Sequence, residues 1–308
     1  MATVLITGGT GLIGQAITKE LIAKGYDVII LSRNPNKGKQ LTEKLSYAAW
    51  DLVAQTIDEK AIQKADYIIQ LAGANVAGGR WTEKRKKEIV ESRTKSGELL
   101  VRAVKNIPNK IKAVISASAI GFYGADPGIS NPKPFVESDP ADDSFLGRTS
   151  VQWESSMDPI TESGKRLVKL RTGIVLSNDG GAYVEFKKPL KFGIASVLGT
   201  GQQVVSWIHI NDIVGIYIYA IENEKLKGVY NAVAPQPVSN KKLIETMSRE
   251  KGGVSIMAAV PEFVLKTMFG EMSIEVLKSA TVNDNKIREA GFRFVFPTID
   301  AALSDLIK

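Results

Sequence analysis

Three glycines set three residues apart, Gly8, Gly11 and Gly14 in Thr7-Gly8-Gly9-Thr10-Gly11-Leu12-Ile13-Gly14, are the first residues whose types and spacing could do chemistry. Glycines at this spacing let a chain turn sharply, let backbone N–H groups approach a pyrophosphate, and let a helix pack closely on a strand. A helix opening through Thr10, Gly11, Leu12 and Ile13 would offer free N–H groups and its positive dipole end to phosphate. About 20 residues further on, a dinucleotide site that takes NAD(H) carries Asp or Glu to accept from the adenosine ribose 2′-hydroxyl. This chain has Ser32-Arg33-Asn34 there, and a guanidinium can bind a 2′-phosphate and stack on adenine. The expected cofactor is therefore NADP(H) in preference to NAD(H); the competing reading makes Arg33 a plain surface charge. Asp51 could take the adenine amino group, with Leu52 beside it. Leu71-Ala72-Gly73-Ala74 follows the expected fourth strand, where small residues could let backbone approach the adenosine ribose, although each feature alone would be ordinary loop chemistry.

These residues need a scaffold that presents them together, and the hydropathy pattern supplies one. Short β-branched runs alternate with helical patterns, which predicts a parallel sheet covered on both faces. Thr3 to Thr7 reads as a first strand, followed by a helix in which Ile13, Ile17 and Leu21 recur every four residues and Gly25 is the stop. Further strands are expected at Asp27 to Ser32, Tyr47 to Trp50, Asp66 to Leu71, Lys112 to Ala117, Leu167 to Arg171 and Gly228 to Val233. The fold class expected is α/β, a doubly wound Rossmann sheet of about seven strands with a small C-terminal substrate lobe. Residues 1–176 would form the nucleotide-binding domain, with 204–233 returning to it. Residues 177–203 and 234–308 would form the smaller lobe, the first as a glycine-rich loop stretch and the second as helices with short connections, Ser239 among their N-caps.

Bulk properties narrow the classes further. The 308 residues are 44% hydrophobic and 24% charged, an ordinary globular balance. The most apolar region, Val204 to Ile221, is broken by His209, Asn211 and Asp212, so no membrane span is expected. The formal charge of +7 comes from scattered clusters such as Lys84-Arg85-Lys86-Lys87, without the basic stripe and interleaved aromatics that nucleic acid requires. The absence of cysteine excludes disulfides and thiolate sites. With a single histidine, metal sites and Ser-His-Asp arrangements are not expected, and His209 reads either as a general base or as a hydrogen-bonded structural residue. A cytoplasmic address is the expectation.

The chain resembles an atypical or extended short-chain dehydrogenase/reductase, of the epimerase-like family labelled NAD-dependent epimerase/dehydratase or cell-division-inhibitor-like. The resemblance is carried by TGGTGLIG (7–14), LAGANVAGGRWTEKRKKEIVESR (71–93), SASAIGFYG (116–124), LRTGIVLSNDGGA (170–182) and GTGQQVVSWIHINDIVG (199–215), and it extends through 231–240 and 289–298. It implies a seven-stranded Rossmann core and a small substrate lobe. It also implies a Tyr with a Lys four residues later, the phenol as acid/base and the ammonium lowering its pKa. Here Leu146 and Ser150 occupy those positions, and the helix that usually offers a ribose-side Asn gives Arg93-Thr94.

On that resemblance Ser116, Ala117, Arg93 and Arg171 are expected at the cofactor, Ser118 in the substrate-orienting Ser role, and Tyr123 as the first candidate for proton transfer or as an aromatic wall. Arg80, Trp81 and Trp207 are expected at the substrate, against the alternative of packing and surface charge. The partner implied is a small molecule, with a nucleotide sugar suggested by the resemblance and by the two-lobed plan. Oligomeric state is left open. Two functions follow: an NADP(H)-dependent oxidoreductase or epimerase acting on a carbonyl or carbinol carbon, or a non-catalytic NADP(H)-binding sensor or scaffold.

Overall fold

The computed structural model describes residues 2–35, 42–128 and 133–307. The first half alternates strand and helix: β1 (Thr3–Thr7), α1 (Leu12–Ala23), β2 (Asp27–Ser32), β3 (Leu45–Asp51), β4 (Thr56–Ile57), α2 (Glu59–Lys64), β5 (Tyr67–Gln70), α3 (Glu83–Asn106), β6 (Ala113–Ala119), α4 (Phe145–Met157), α5 (Pro159–Glu162) and β7 (Arg166–Thr172). Side-chain caps start the helices where the sequence supplies them. Asp58 accepts from the N–H groups of Lys60 and Ala61, Thr82 from Arg85, and Ser144 from Gly147.

The strands form one sheet in the order β12-β7-β6-β5-β1-β2-β3-β4, where β12 is Gly228–Ala232. Seven of its strands are the expected parallel set; the eighth, β4, pairs antiparallel with the end of β3 at the sheet edge. Strand order reverses between β1 and β5, which opens a crevice beyond their C-terminal ends. Because side chains alternate along β1, Val4 and Ile6 point to one layer and Leu5 to the other. In the first layer Ile17 and Leu21 of α1 meet Ile213, Ile216 and Tyr217 of α7 (Ile210–Glu222); the second holds Ile62, Leu99, Leu100, Val104, Met157 and Ile160.

Between β7 and β12 the chain forms β8 (Ile174–Leu176), α6 (Ala182–Leu190), β9 (Ile194–Leu198), β10 (Val204–Val205), β11 (Trp207–His209) and α7. Beyond β12 follow β13 (Val238–Ser239), α8 (Asn240–Lys251), β14 (Ile256–Val260), α9 (Glu262–Phe269), α10 (Ser273–Leu277), α11 (Asn285–Glu289) and α12 (Ile299–Ile307). A separate core joins Leu176, Tyr183, Leu190, Trp207, Leu243, Met247 and Leu303.

Two expectations are corrected here. Residues 177–203 are not a loop stretch, because Gly180, Gly181, Gly193, Gly199 and Gly201, all at positive φ, end elements rather than dissolve them. The C-terminal segment also contains β14, which pairs in parallel with β9. No helix among the described residues is long and apolar enough to cross a membrane.

Candidate functional site

Gly8, Thr10, Gly11, Ser32, Arg33, Leu52, Leu71, Ala72 and Gly73 line one cleft of about 560 Å³ over the β1/β5 switch point. The backbone makes it. Gly8 sits at φ +68°, and a Cβ there would fall 2.9 Å from the Leu71 carbonyl carbon. A Cβ on Gly14 would lie 2.4 Å from the Gly8 oxygen, so α1 reaches the loop only because Gly14 lacks one. Gly11, the N-cap of α1, has no side chain to satisfy the helix's first N–H groups. Leu12 and Ile13 form the first turn behind that loop, with Leu12 3.4 Å from where a Cβ on Gly181 would stand. Leu31, Asn34, Trp50, Ala74, Glu88 and Ser92 complete the lining. Of these, Glu88 and Ser92 went unnoticed in the sequence, although their spacing of four puts them on one face of α3.

Arg33 is exposed at the end of β2 and makes no ion pair among the described residues, and Ser32 Oγ accepts from the Asn34 N–H. Asp51 is bound up in its own turn: its Oδ1 accepts from the N–H groups of Val53 (2.7 Å) and Ala54 (3.0 Å). Those two bonds hold its carboxyl below the usual carboxylate range. Leu52, next in sequence, faces the cleft.

A second set of expected residues lies together at the ends of β6, β7 and β12, and it is closed. Ser118 Oγ donates to Glu154 Oε1 at 2.7 Å. Arg171 grips the same carboxylate with Nε at 2.8 Å and Nη2 at 3.1 Å, and its Nη1 donates to the Tyr123 hydroxyl and the Glu137 carbonyl. The Tyr123 hydroxyl donates to Asn231 Oδ1 at 2.7 Å, and its ring stacks on Phe135. Tyr123 is 0% exposed and Ser118 2%. Burial pushes the Tyr123 phenol up despite the guanidinium beside it. Burial opposes the charge of Arg171, but Glu154 outweighs it and its pKa is raised.

Five of the expected residues have polar atoms that already meet partners within the protein. Arg171 is spent on Glu154, Tyr123 and Glu137. Ser116 is buried and donates to Gln70 Oε1, leaving half-buried Ala117 beside it on β6. Trp207 is buried in the C-terminal core with its Nε1 on the Gln236 carbonyl. Trp81 packs edge-on to Phe145 and against Met272, with its Nε1 on the Val76 carbonyl. Exposed Arg80 donates to the Thr267 carbonyl, which ties the loop after β5 to α9.

His209 caps α7: its Nδ1 accepts from the Asn211 N–H. Burial pulls its pKa down to about 4, against the opposing effect of Asp305. No cluster of His, Asp or Glu suited to a metal is present among the described residues.

The family profile described as NAD dependent epimerase/dehydratase family matches residues 4–145, and one described as a domain of unknown function (DUF1731) matches 260–306. The chain is 37% identical to the Bacillus subtilis (strain 168) epimerase family protein YfhF, over 99% of this chain and 97% of that one. The crystal structure of human epimerase family protein SDR39U1 (isoform 2) with NADPH superposes with a TM-score of 0.88 at 30% identity, covering 99% of each chain. A nucleoside-diphosphate sugar epimerase from Corynebacterium glutamicum gives 0.78 at 29% identity, covering 99% of this chain and 58% of that one.

Proposed function

Because the chain belongs to the NAD-dependent epimerase/dehydratase family, we propose that it binds NADP(H) in the switch-point cleft and uses it for oxidoreductase or epimerase chemistry on a small molecule. The observation that carries this reading is the meeting, in one cleft, of a glycine-rich turn, the uncapped start of α1 and Arg33, which makes no ion pair among the described residues. The turn and helix start would hold the pyrophosphate through N–H groups and the helix dipole. Arg33 would hold the 2′-phosphate, because no carboxylate stands at the end of β2 to repel it. Leu71 to Gly73 would seat the adenosine ribose against backbone. When bound, the cofactor supplies or accepts a hydride at its nicotinamide ring. The human relative crystallised with NADPH supports the cofactor, and the Corynebacterium relative's name supports a nucleotide sugar as the substrate class.

In this reading Ser118 and Tyr123 remain the candidates for handling the substrate's proton. A specific observation favours the second reading, an NADP(H)-binding sensor without turnover: both hydroxyls are buried on protein partners. A hydride-exchange assay with NADPH over a panel of nucleotide sugars and simple carbonyls separates the two, since only the enzyme consumes NADPH.

Cofactor choice is tested by titration. NADPH should bind about tenfold or more tightly than NADH, and Arg33→Ala should remove that difference, as expected for loss of a charge-assisted contact. Equal binding of the two cofactors by the native chain would overturn the reading.

A further inference from the structure

Two turns of the C-terminal lobe carry apolar side chains that the protein leaves in water. β9 and β14 run parallel, so the turns leading into them, 191–193 and 252–255, lie side by side at one end of this small sheet. The Ile256 N–H donates to the Gly193 carbonyl at 2.8 Å, and Ile194 stands opposite Ile256 in the strand pair. Phe192 is 85% exposed, Val254 89% and Ile256 71%, with Ile194 exposed beside them. Gly252 and Gly253 hold positive φ, at +72° and +74°, and a Cβ built on either meets nothing within 4 Å. Large apolar side chains gathered at one spot mark an interaction site, whereas scattered single ones do not.

The charge around this tip is positive. Lys191 and Lys251 sit immediately before Phe192 and Gly252, are exposed, and make no ion pair among the described residues. Lys187 and Lys188 stand in the last turn of α6, and Arg249 in that of α8. The nearby acids are already paired, Glu185 with Lys188 and Glu250 with Arg249. A second copy docked here would set lysine against lysine, because a two-fold contact brings the same surface from each chain. A stable protein interface uses roughly 20 residues or more from each partner, against four apolar side chains at this tip. A protruding apolar tip flanked by lysines suits instead an anionic lipid surface, where burial of apolar area and attraction to headgroups add.

We propose that this tip docks the protein on a membrane surface carrying anionic lipid headgroups. Phe192, Val254 and Ile256 enter the boundary between headgroups and acyl chains, and Lys191 and Lys251 bind headgroup phosphates. None of these residues lines the switch-point cleft, so docking leaves the cleft's lining untouched and does not depend on which cofactor sits there. Attachment of this kind lies on the bilayer and needs no spanning helix.

Co-sedimentation of the full chain with vesicles tests it, comparing phosphatidylcholine alone with phosphatidylcholine mixed with phosphatidylglycerol. The native chain should bind the mixed vesicles about tenfold or more tightly than the neutral ones. Phe192→Ser with Val254→Ser, and separately Lys191→Gln with Lys251→Gln, should each weaken that binding by about tenfold or more. Removing two exposed lysines elsewhere, Lys225→Gln with Lys227→Gln, should leave it near native. The four natural tryptophans, Trp50, Trp81, Trp153 and Trp207, are buried, so in Phe192→Trp a blue shift of emission on adding mixed vesicles reads insertion of the tip itself. Thermal melting checks that each variant is folded, and if the double Ser variant is not, the Phe192→Trp emission carries the test. No preference of the native chain for mixed vesicles, binding that survives the tip substitutions, or an equal loss in the Lys225 and Lys227 control overturns the proposal. So does a native dimer that the double Ser variant converts to a monomer, since a second copy would then be what covers the tip.

Discussion

The two ends of the sheet's C-terminal edge carry the same raw materials and use them in opposite ways. Over β1, β2 and β5 glycines clear the space, the helix start has no side-chain cap, and Arg33 makes no ion pair among the described residues. Over β6, β7 and β12 every comparable group is closed on another, Ser118 on Glu154, Glu154 on Arg171, Arg171 on Tyr123 and Tyr123 on Asn231. A charged residue at a strand end is thus no sign of a ligand site in itself. What distinguishes the proposed cofactor end is a set of donors left without protein partners among the described residues.

The comparison breaks most visibly if the closed end proves to be a ligand site. Glu154→Ala should cost about 3–5 kcal/mol of stability, since it strands Arg171 in a buried position, yet leave adenosine 2′,5′-bisphosphate affinity unchanged. Replacing Glu154 and Arg171 together by Met should recover much of that loss in a chemical-denaturation series. A large fall in affinity without a fall in stability would move the ligand to this end.

The open end should answer differently. Gly14→Ala places a methyl 2.4 Å from the Gly8 carbonyl, and overpacking of this kind costs about 1–3 kcal/mol. Because relief requires the turn to move, NADPH binding should be lost even at temperatures where the variant is folded. Calorimetric titration beside a melt reads both effects, and retained affinity would mean that the turn does not hold phosphate.

The smallest expected effect tests the buried start of α7 through pH. His209 is the only histidine, and its pKa falls from the ordinary 6.5 to about 4 on folding. The unfolded chain therefore binds more protons between those values, so this contribution is complete above pH 6.5 and is lost as pH drops toward 4. Between pH 7 and 5 the loss should be about 2 kcal/mol. His209→Asn, which can still cap α7, should show a flatter dependence in melts at those two pH values. Identical slopes would put the acid sensitivity elsewhere.

The fold was legible because seven parallel strands buried on both faces read as short β-branched runs, and Gly25 and Ser239 mark a helix end and a helix start. α6 was not legible: it is nine residues between glycines and contains Pro189, signals that in sequence read as loop. That the glycine turn and the end of β2 share one cleft was legible because both are local, a turn within eight residues and a strand end about 20 residues on. The closed network was not, because its partners are far apart, Ser118 and Glu154 by 36 residues and Tyr123 and Asn231 by 108. One signal was available: Arg171 lies next to last in β7, a buried strand, and a charge that deep requires an acid from somewhere else in the chain.

The return of α7 and β12 to the central sheet has a consequence for how the protein is made. α7 covers α1, and β12 supplies the edge beside β7, yet both are encoded after α6 and β9. On the ribosome, the first half of the sheet therefore stays uncovered on that face until residue 232 has emerged. A gene fragment ending near residue 176 would leave Ile17, Leu21 and the β7 edge facing water, a recipe for aggregation rather than for an isolated, usable half.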